Sequence, residues 1–168
     1  MLGYQRSTRI CPVNTIHSAL FQVVQEFFQS HQLGDPIAET RLCCETIATR
    51  PDQGKLVGWL DGNPDRNIHL AILLTAEWLI WARNGDQTGT VIAGTKLQVI
   101  KAKAFVRRHT QDMELEIAGF LADSKEYMRG NLELGPEPAA QKFCEAVVEA
   151  VQKATPPPKK RFFGLIDA

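Results

Sequence analysis

From Asn14 to His31 apolar residues recur at helical spacing, at Ile16, Leu20, Val23, Val24, Phe27 and Phe28, and Asn14 can cap the first turn. The spacing predicts an amphipathic helix whose phenylalanine stripe must be buried against another element. Leu33-Gly34-Asp35-Pro36 is a breaker cluster that ends it. Between Arg41 and Asp123 the pattern changes to short Val-, Ile-, Leu- and Trp-rich runs separated by turn residues, an antiparallel β signature. Seven strands are expected: Arg41 to Thr49, Lys55 to Leu60, Ile68 to Leu74, Trp78 to Arg83, Thr90 to Ala93, Leu97 to Val106 and Met113 to Ala122. Ile68, Leu70, Ile72 and Leu74 alternate with His69 and Ala71, and Met113, Leu115 and Ile117 with Glu114 and Glu116, so each strand is expected to have one dry face and one wet face. After Pro138 the helical period returns, with Ala140, Phe143, Val147, Ala150 and Val151 on one side. Pro156-Pro157-Pro158 cannot continue that helix and starts a stiff spacer.

These boundaries divide the chain into an N-terminal segment, 1–36, with the amphipathic helix; a β-rich domain, 37–155; and a proline-started tail, 156–168. In Trp78-Leu79-Ile80-Trp81 the two tryptophans point to opposite faces of the strand, so at least one needs cover from outside the sheet's main core. The N-terminal helix is the expected cover, and a second copy of the protein the alternative.

With 168 residues the chain can bury a core of its own without disulfides or metal. Its 19 basic and 19 acidic residues cancel, which excludes a whole-chain polyanion binder and argues against nucleic acid as the partner. Cys11, Cys43, Cys44 and Cys144 form no C-x-x-C spacing, so they are expected to be small buried hydrophobes, with no metal and no cofactor. Cys43 and Cys44, if in a strand, point to opposite faces. The N-terminal stretch resembles no signal peptide and no apolar run is long enough to span a bilayer, so the expected location is cytoplasmic.

Short antiparallel strands closed by a C-terminal helix, together with the hairpin Ile72-Leu73-Leu74-Thr75-Ala76-Glu77-Trp78-Leu79-Ile80-Trp81, resemble the bacterial pleckstrin-homology-like domain family. The resemblance implies an α+β fold: a seven-stranded antiparallel bent barrel capped by the C-terminal helix, here with an extra N-terminal helix. The sequence departs from the family at Trp78, where a basic residue is usual, and at Phe143, where eukaryotic members carry tryptophan. Lys55 is followed by Leu56-Val57-Gly58 instead of the basic-x-Arg pair of inositide-binding members.

Two local features are candidates for function. From Lys96 to His109 the chain has Lys96, Lys101, Lys103, Arg107 and Arg108 and no acid, a candidate site for a phosphate-bearing or anionic partner, whose bland counterpart is an edge strand guarded by lysine. The tail residues Lys159, Lys160, Arg161, Phe162, Phe163 and Leu165 read as a docking peptide or a peripheral contact with an anionic membrane, the alternative being that Phe162, Phe163 and Leu165 fold back over the domain's own surface. No catalytic residue is assigned: His17, His31, His69 and His109 lie apart, and no nucleophile elbow, phosphate loop or H-E-x-x-H occurs. His69 reads as a solvated or hydrogen-bonded residue, not as a base. The expectation is a non-enzymatic binding or scaffold module acting through protein or peripheral-membrane contact. The alternatives are an α+β cavity fold that binds or transforms a small molecule, for which a pocket containing His69 or His109 beside a carboxylate would speak, and a dimeric secretion-chaperone-like protein.

Overall fold

The structure, a computed structural model, describes residues 3–51, 62–124 and 126–156. The expected strand Lys55 to Leu60 and the tail beyond Pro156 lie outside the described residues. The fold is α+β, with two antiparallel sheets and a C-terminal helix. The larger sheet has the order β1 (Gln5–Ile10), β2 (Leu42–Thr49), β3 (Asn67–Leu74), β4 (Trp78–Gly85), β5 (Gly89–Lys96). The smaller is β6 (Ile100–Val106), β7 (Met113–Phe120), β8 (Tyr127–Glu133). Among the described residues the strands thus form two sheets, and no closed seven-strand barrel is present.

Two of these strands carry no apolar alternation. β1, Gln-Arg-Ser-Thr-Arg-Ile, buries only Thr8, and β8 has exposed Tyr127, Arg129 and Asn131 between half-buried residues and none fully buried; both are edge strands, where one flank and much of one face need no apolar cover. The N-terminal segment therefore contributes an edge strand to the large sheet. The expected run Leu97 to Val106 is two elements: a 3-10 turn, Leu97–Val99, buries Leu97 and carries the chain from β5 in one sheet to β6 in the other.

Helix α1 (Ser18–Ser30) buries Leu20, Val24, Phe27 and Phe28 against β3, β4 and β5. His17, not Asn14, caps it: the His17 Nδ1 accepts the Ala19 amide at 3.3 Å, while Asn14 sits in a 3-10 turn, Val13–Thr15. The helix ends at Ser30, two residues short of the breaker cluster, because Gln32 takes a left-handed conformation (φ 55°) and the Leu33 amide reaches back to the Phe28 carbonyl at 2.9 Å. Asp35 caps a single helical turn, α2 (Pro36–Glu39), through the Ala38 amide.

Helix α3 (Pro138–Ala154) lies on the opposite side of the large sheet and packs against β6, β1, β2 and β7. Its buried stripe, Ala140, Phe143, Cys144, Val147 and Val151, joins Ile72, Leu74 and Leu79 of the large sheet to Leu115 and Ile117 of the small one in a single core. The large sheet is thus covered on both faces. Ala71, Ile72, Leu73 and Leu74 of β3 are all buried, which replaces the expected wet face of this strand: α1 covers the side of Ala71 and Leu73, α3 and the small sheet the side of Ile72 and Leu74. In β7 the alternation holds, with Met113, Leu115 and Ile117 buried and Glu114 and Glu116 partly exposed.

The two tryptophans part as their parity requires. Trp78 goes under α1, edge-on to Phe27 with ring centroids 6.1 Å apart, and Trp81 turns toward the space between the sheets.

Candidate binding cleft

The core between the sheets does not fill the gap along its whole length. On β3 the inward row runs Leu74, Ile72, Leu70, Ile68; α3 covers the first two fully, and the last two are only partly buried. On β4 the same row is Leu79, Trp81, Arg83, and again burial fades toward the end away from the β3–β4 turn. The uncovered ends of these rows, with Ala48 of β2, Val91 of β5 and Leu132 of β8, form the apolar floor of a cleft of about 280 Å³. Val91 is 59% exposed, so the floor continues onto the flank of the edge strand β5.

The rim is polar, with its charges already engaged. Arg6 pairs with Asp112 at 3.1 Å and with Glu133, and Arg107 approaches Glu133 at 2.6 Å and Glu114 at 3.0 Å. Burial lowers the pKa of Arg6 from its ordinary value, opposed by the Asp112 charge. Arg83 is held by Asp65 at 2.6 Å and Thr88 at 2.8 Å. Behind Tyr4, Arg50 stacks 4.7 Å from its ring centroid and donates to its hydroxyl, which donates in turn to the Asp65 carbonyl. An ionic ligand would have to break one of these pairs, whereas an uncharged apolar group meets Leu70, Trp81 and Leu132 at no electrostatic cost. Among the described residues no histidine, cysteine or serine lines the cleft.

The basic stretch is spread over several settings. Lys101, Lys103 and Phe105 point outward from β6, an edge strand, and Phe105 is 44% exposed. Lys103 stands opposite Glu116, and Phe105 opposite Glu114, so acids from β7 interleave with the lysines. Arg107 is consumed by Glu114 and Glu133. Arg108 is exposed in the β6–β7 turn. Lys96 lies apart, 5.9 Å above the Trp78 ring and beside a hollow with Glu77 and Ala154 at the end of α3. The tail candidates Lys159, Lys160, Arg161, Phe162, Phe163 and Leu165 lie outside the described residues.

On the α1 side, folding gathers polar groups that are far apart in sequence. Glu45 is buried; its Oε2 accepts from Arg9 Nη2 at 2.7 Å and its Oε1 from the His17 amide at 2.8 Å. His69 is half-buried, with its ring 4.4 Å from that of His17 and its Nδ1 3.8 Å from Glu45 Oε1. Burial, with the neighbouring His17, lowers the His69 pKa from its usual value. A histidine beside a carboxylate does therefore exist, yet neither His69 nor His109 lines any of the described cavities. A single polar position in the β3 pattern gave no sign of this group, since its partners come from β1, β2 and the turn before α1. No group of three metal-ligating side chains is found among the described residues, and none of the described helices is long and apolar enough to cross a membrane.

Comparison of the chain with protein-family models, with curated proteins and with solved structures finds no match.

Proposed function

We propose that this chain is a non-enzymatic binding module of pleckstrin-homology-like type, working by contact with a protein, and that its cleft takes an apolar side chain from an extended segment of that partner. The observation that carries this reading is the cleft itself, an apolar floor inside a rim whose charges are internally paired. Such a site favours uncharged apolar side chains, because an ionic group would have to displace a charge that is already paired. The floor runs out at Val91 on β5, an edge strand whose flank can accept an added strand, so one segment can pair with the edge and insert a side chain.

The barrel-like relation of the two sheets is supported at two places. The Ala122 amide donates to the Gly94 carbonyl at 2.9 Å and the Thr95 hydroxyl to the Phe120 carbonyl at 2.6 Å, tying β5 to the end of β7. On the other side the Gly135 amide donates to the Thr8 hydroxyl at 2.7 Å, tying β1 to the segment after β8. With α3 between the sheets at one end, the cleft is the opposite, open end.

Fluorescence polarisation with a library of extended octapeptides tests the reading. Peptides carrying a central Leu, Phe or Trp are expected to bind, and Val91→Glu, at an exposed position, to weaken binding at least tenfold. Equal binding by Val91→Glu and by Leu70→Glu overturns it. Co-sedimentation with phosphatidylserine vesicles is the opposing arm: vesicle binding lost on Lys101→Glu with Lys103→Glu, without peptide binding, would assign the function to the outer face of β6 instead. The same assays on a chain cut after Pro156 show whether the tail competes for the cleft.

A further inference from the structure

The four cysteines, scattered in sequence, fall into two facing pairs on opposite sides of the large sheet. Cys43 and Cys44 are neighbours on β2 and point to opposite faces, Cys43 into the core under α1 and Cys44 into the core under α3. Cys11 joins Cys43 on the first side and Cys144 joins Cys44 on the second. All four are free thiols.

The pairs differ in setting. Cys44 and Cys144 have no exposed surface, and burial pushes both thiols up, Cys144 to about 11, so neither offers a thiolate near neutral pH. Cys11 follows the last residue of β1, Ile10, which stands opposite Cys44; one step on, the Cys11 amide donates to the Cys43 carbonyl at 3.1 Å. The register places Cys11 directly opposite Cys43, and opposed antiparallel residues share a face with Cα atoms roughly 4.5–5.5 Å apart. A disulfide bridges Cα separations of roughly 4.4–6.8 Å, a range that includes this spacing. Both cysteines line a surface cavity of about 290 Å³, with Pro12, Val13, Ile37 and Arg41 around them. The neighbouring Cys43 thiol lowers the pKa of Cys11 to about 7, helped by the Thr15 hydroxyl and the Arg9 charge against burial, while Cys11 beside it and burial raise Cys43. One sulfur is thus the nucleophile and the other the proton-bearing resolver.

We infer that Cys11 and Cys43 are a reversible thiol–disulfide site whose oxidant is a hydroperoxide entering through this cavity. The Cys11 thiolate attacks the terminal peroxide oxygen, the O–O bond breaks, and protonation of the departing hydroxide releases water and leaves a sulfenic acid on Cys11. The Cys43 sulfur then attacks the sulfenic sulfur, forming the S–S bond; its proton leaves with the hydroxyl as a second water. The two thiols lose two electrons and two protons in total, and hydrogen peroxide becomes two waters. The cross-link closes a loop that contains α1 and α2 and fixes the helix that covers Trp78.

The full chain, reduced and then exposed to stoichiometric hydrogen peroxide at neutral pH, is alkylated under denaturing conditions and mapped by peptide mass. A Cys11–Cys43 cross-link is expected, with Cys44 and Cys144 alkylated, reversal by dithiothreitol, and a higher Tm for the oxidised form. Cys144→Ala should keep the cross-link and Cys11→Ser should lose it. Four alkylated cysteines, Cys11 recovered as sulfinic acid with Cys43 alkylated, or a disulfide that includes Cys44 or Cys144 would each overturn the inference.

Discussion

The Asp65 carboxylate meets the Arg83 guanidinium at 2.6 Å, fully buried beneath the turn that joins β4 to β5. Its Oδ1 accepts the Gln87 and Thr88 amides at 2.7 and 2.9 Å, and its Oδ2 also accepts the Thr88 hydroxyl at 2.6 Å. Gly85 is required here, because a Cβ at that position would overlap the carboxylate. One buried acid therefore organises the turn beside the cleft and holds Arg83 on its rim.

Burial alone would raise the Asp65 pKa, but the Thr88 hydroxyl, the two amides and Arg83 outweigh it and hold the carboxyl at about 2. An unfolded aspartate takes its proton near pH 4, so between pH 4 and 2 the unfolded state binds more protons and stability falls with falling pH. The loss is on the order of 2 kcal/mol. Urea unfolding at a series of pH values should display it in the wild type and not in Asp65→Asn. That variant leaves Arg83 without its charge partner and should cost roughly 3 kcal/mol at pH 7.

Gly94 of β5 lies directly under α1. A Cβ there would come within 2.5 Å of the Phe27 Cζ and 3.3 Å of the Ile80 Cγ1. Gly94→Ala is expected to lower stability by about 1–3 kcal/mol, by overpacking. Phe27→Leu should recover part of this in the double variant, so chemical denaturation of the four proteins should give a non-additive cycle.

His69 has a folded-state pKa below its usual value, so protonation opposes folding. In the unfolded chain an ordinary histidine takes its proton near pH 6.5. Stability is therefore full above that pH and declines as the pH falls below it. In His69→Gln the dependence of the urea midpoint on pH between 5 and 8 should flatten, and Glu45→Gln, which removes an acceptor shared by Arg9 and the His17 amide, should destabilise at every pH.

Gln32 ends α1 with φ 55°, a conformation that glycine adopts without a Cβ penalty. Gln32→Gly is expected to stabilise by about 0.5 kcal/mol, the relief at the helix end exceeding the added freedom of the unfolded chain. A rise in Tm by differential scanning calorimetry, with the denaturant m-value unchanged, is the result sought.

The elements that read clearly along the chain are those whose period matches a buried face. α1 and α3 lie within a few residues of their predicted limits, because Leu20, Val24, Phe27 and Phe28, or Phe143, Val147 and Val151, each need a single apolar surface to pack on. β3, β4 and β7 are legible for the same reason. β1 and β8 are not: edge strands hold their place by hydrogen bonds to one neighbour and by contacts such as Thr8 with Thr46 at 2.7 Å, and these leave no period in the side chains. The basic run from Lys96 to Arg108 does not lie on one surface, because a local run of one sign says nothing of the strand beside it, and β7 sets Glu114 and Glu116 opposite Phe105 and Lys103.

The sequence by itself determined where the helices and central strands run, that Trp78 and Trp81 face opposite ways, and that Cys43 and Cys44 cannot act together. Those are consequences of the 3.6- and 2-residue periods, which hold whatever the chain folds against. Only the tertiary structure decided that Trp81 and not Trp78 reaches the cleft, that the rim arginines are already paired, that Cys11 faces Cys43, and that His69 meets His17 and Glu45. Each of these joins residues from strands distant in sequence, and sheet register, which sets such pairs, is a property of the assembled backbone and not of any local stretch.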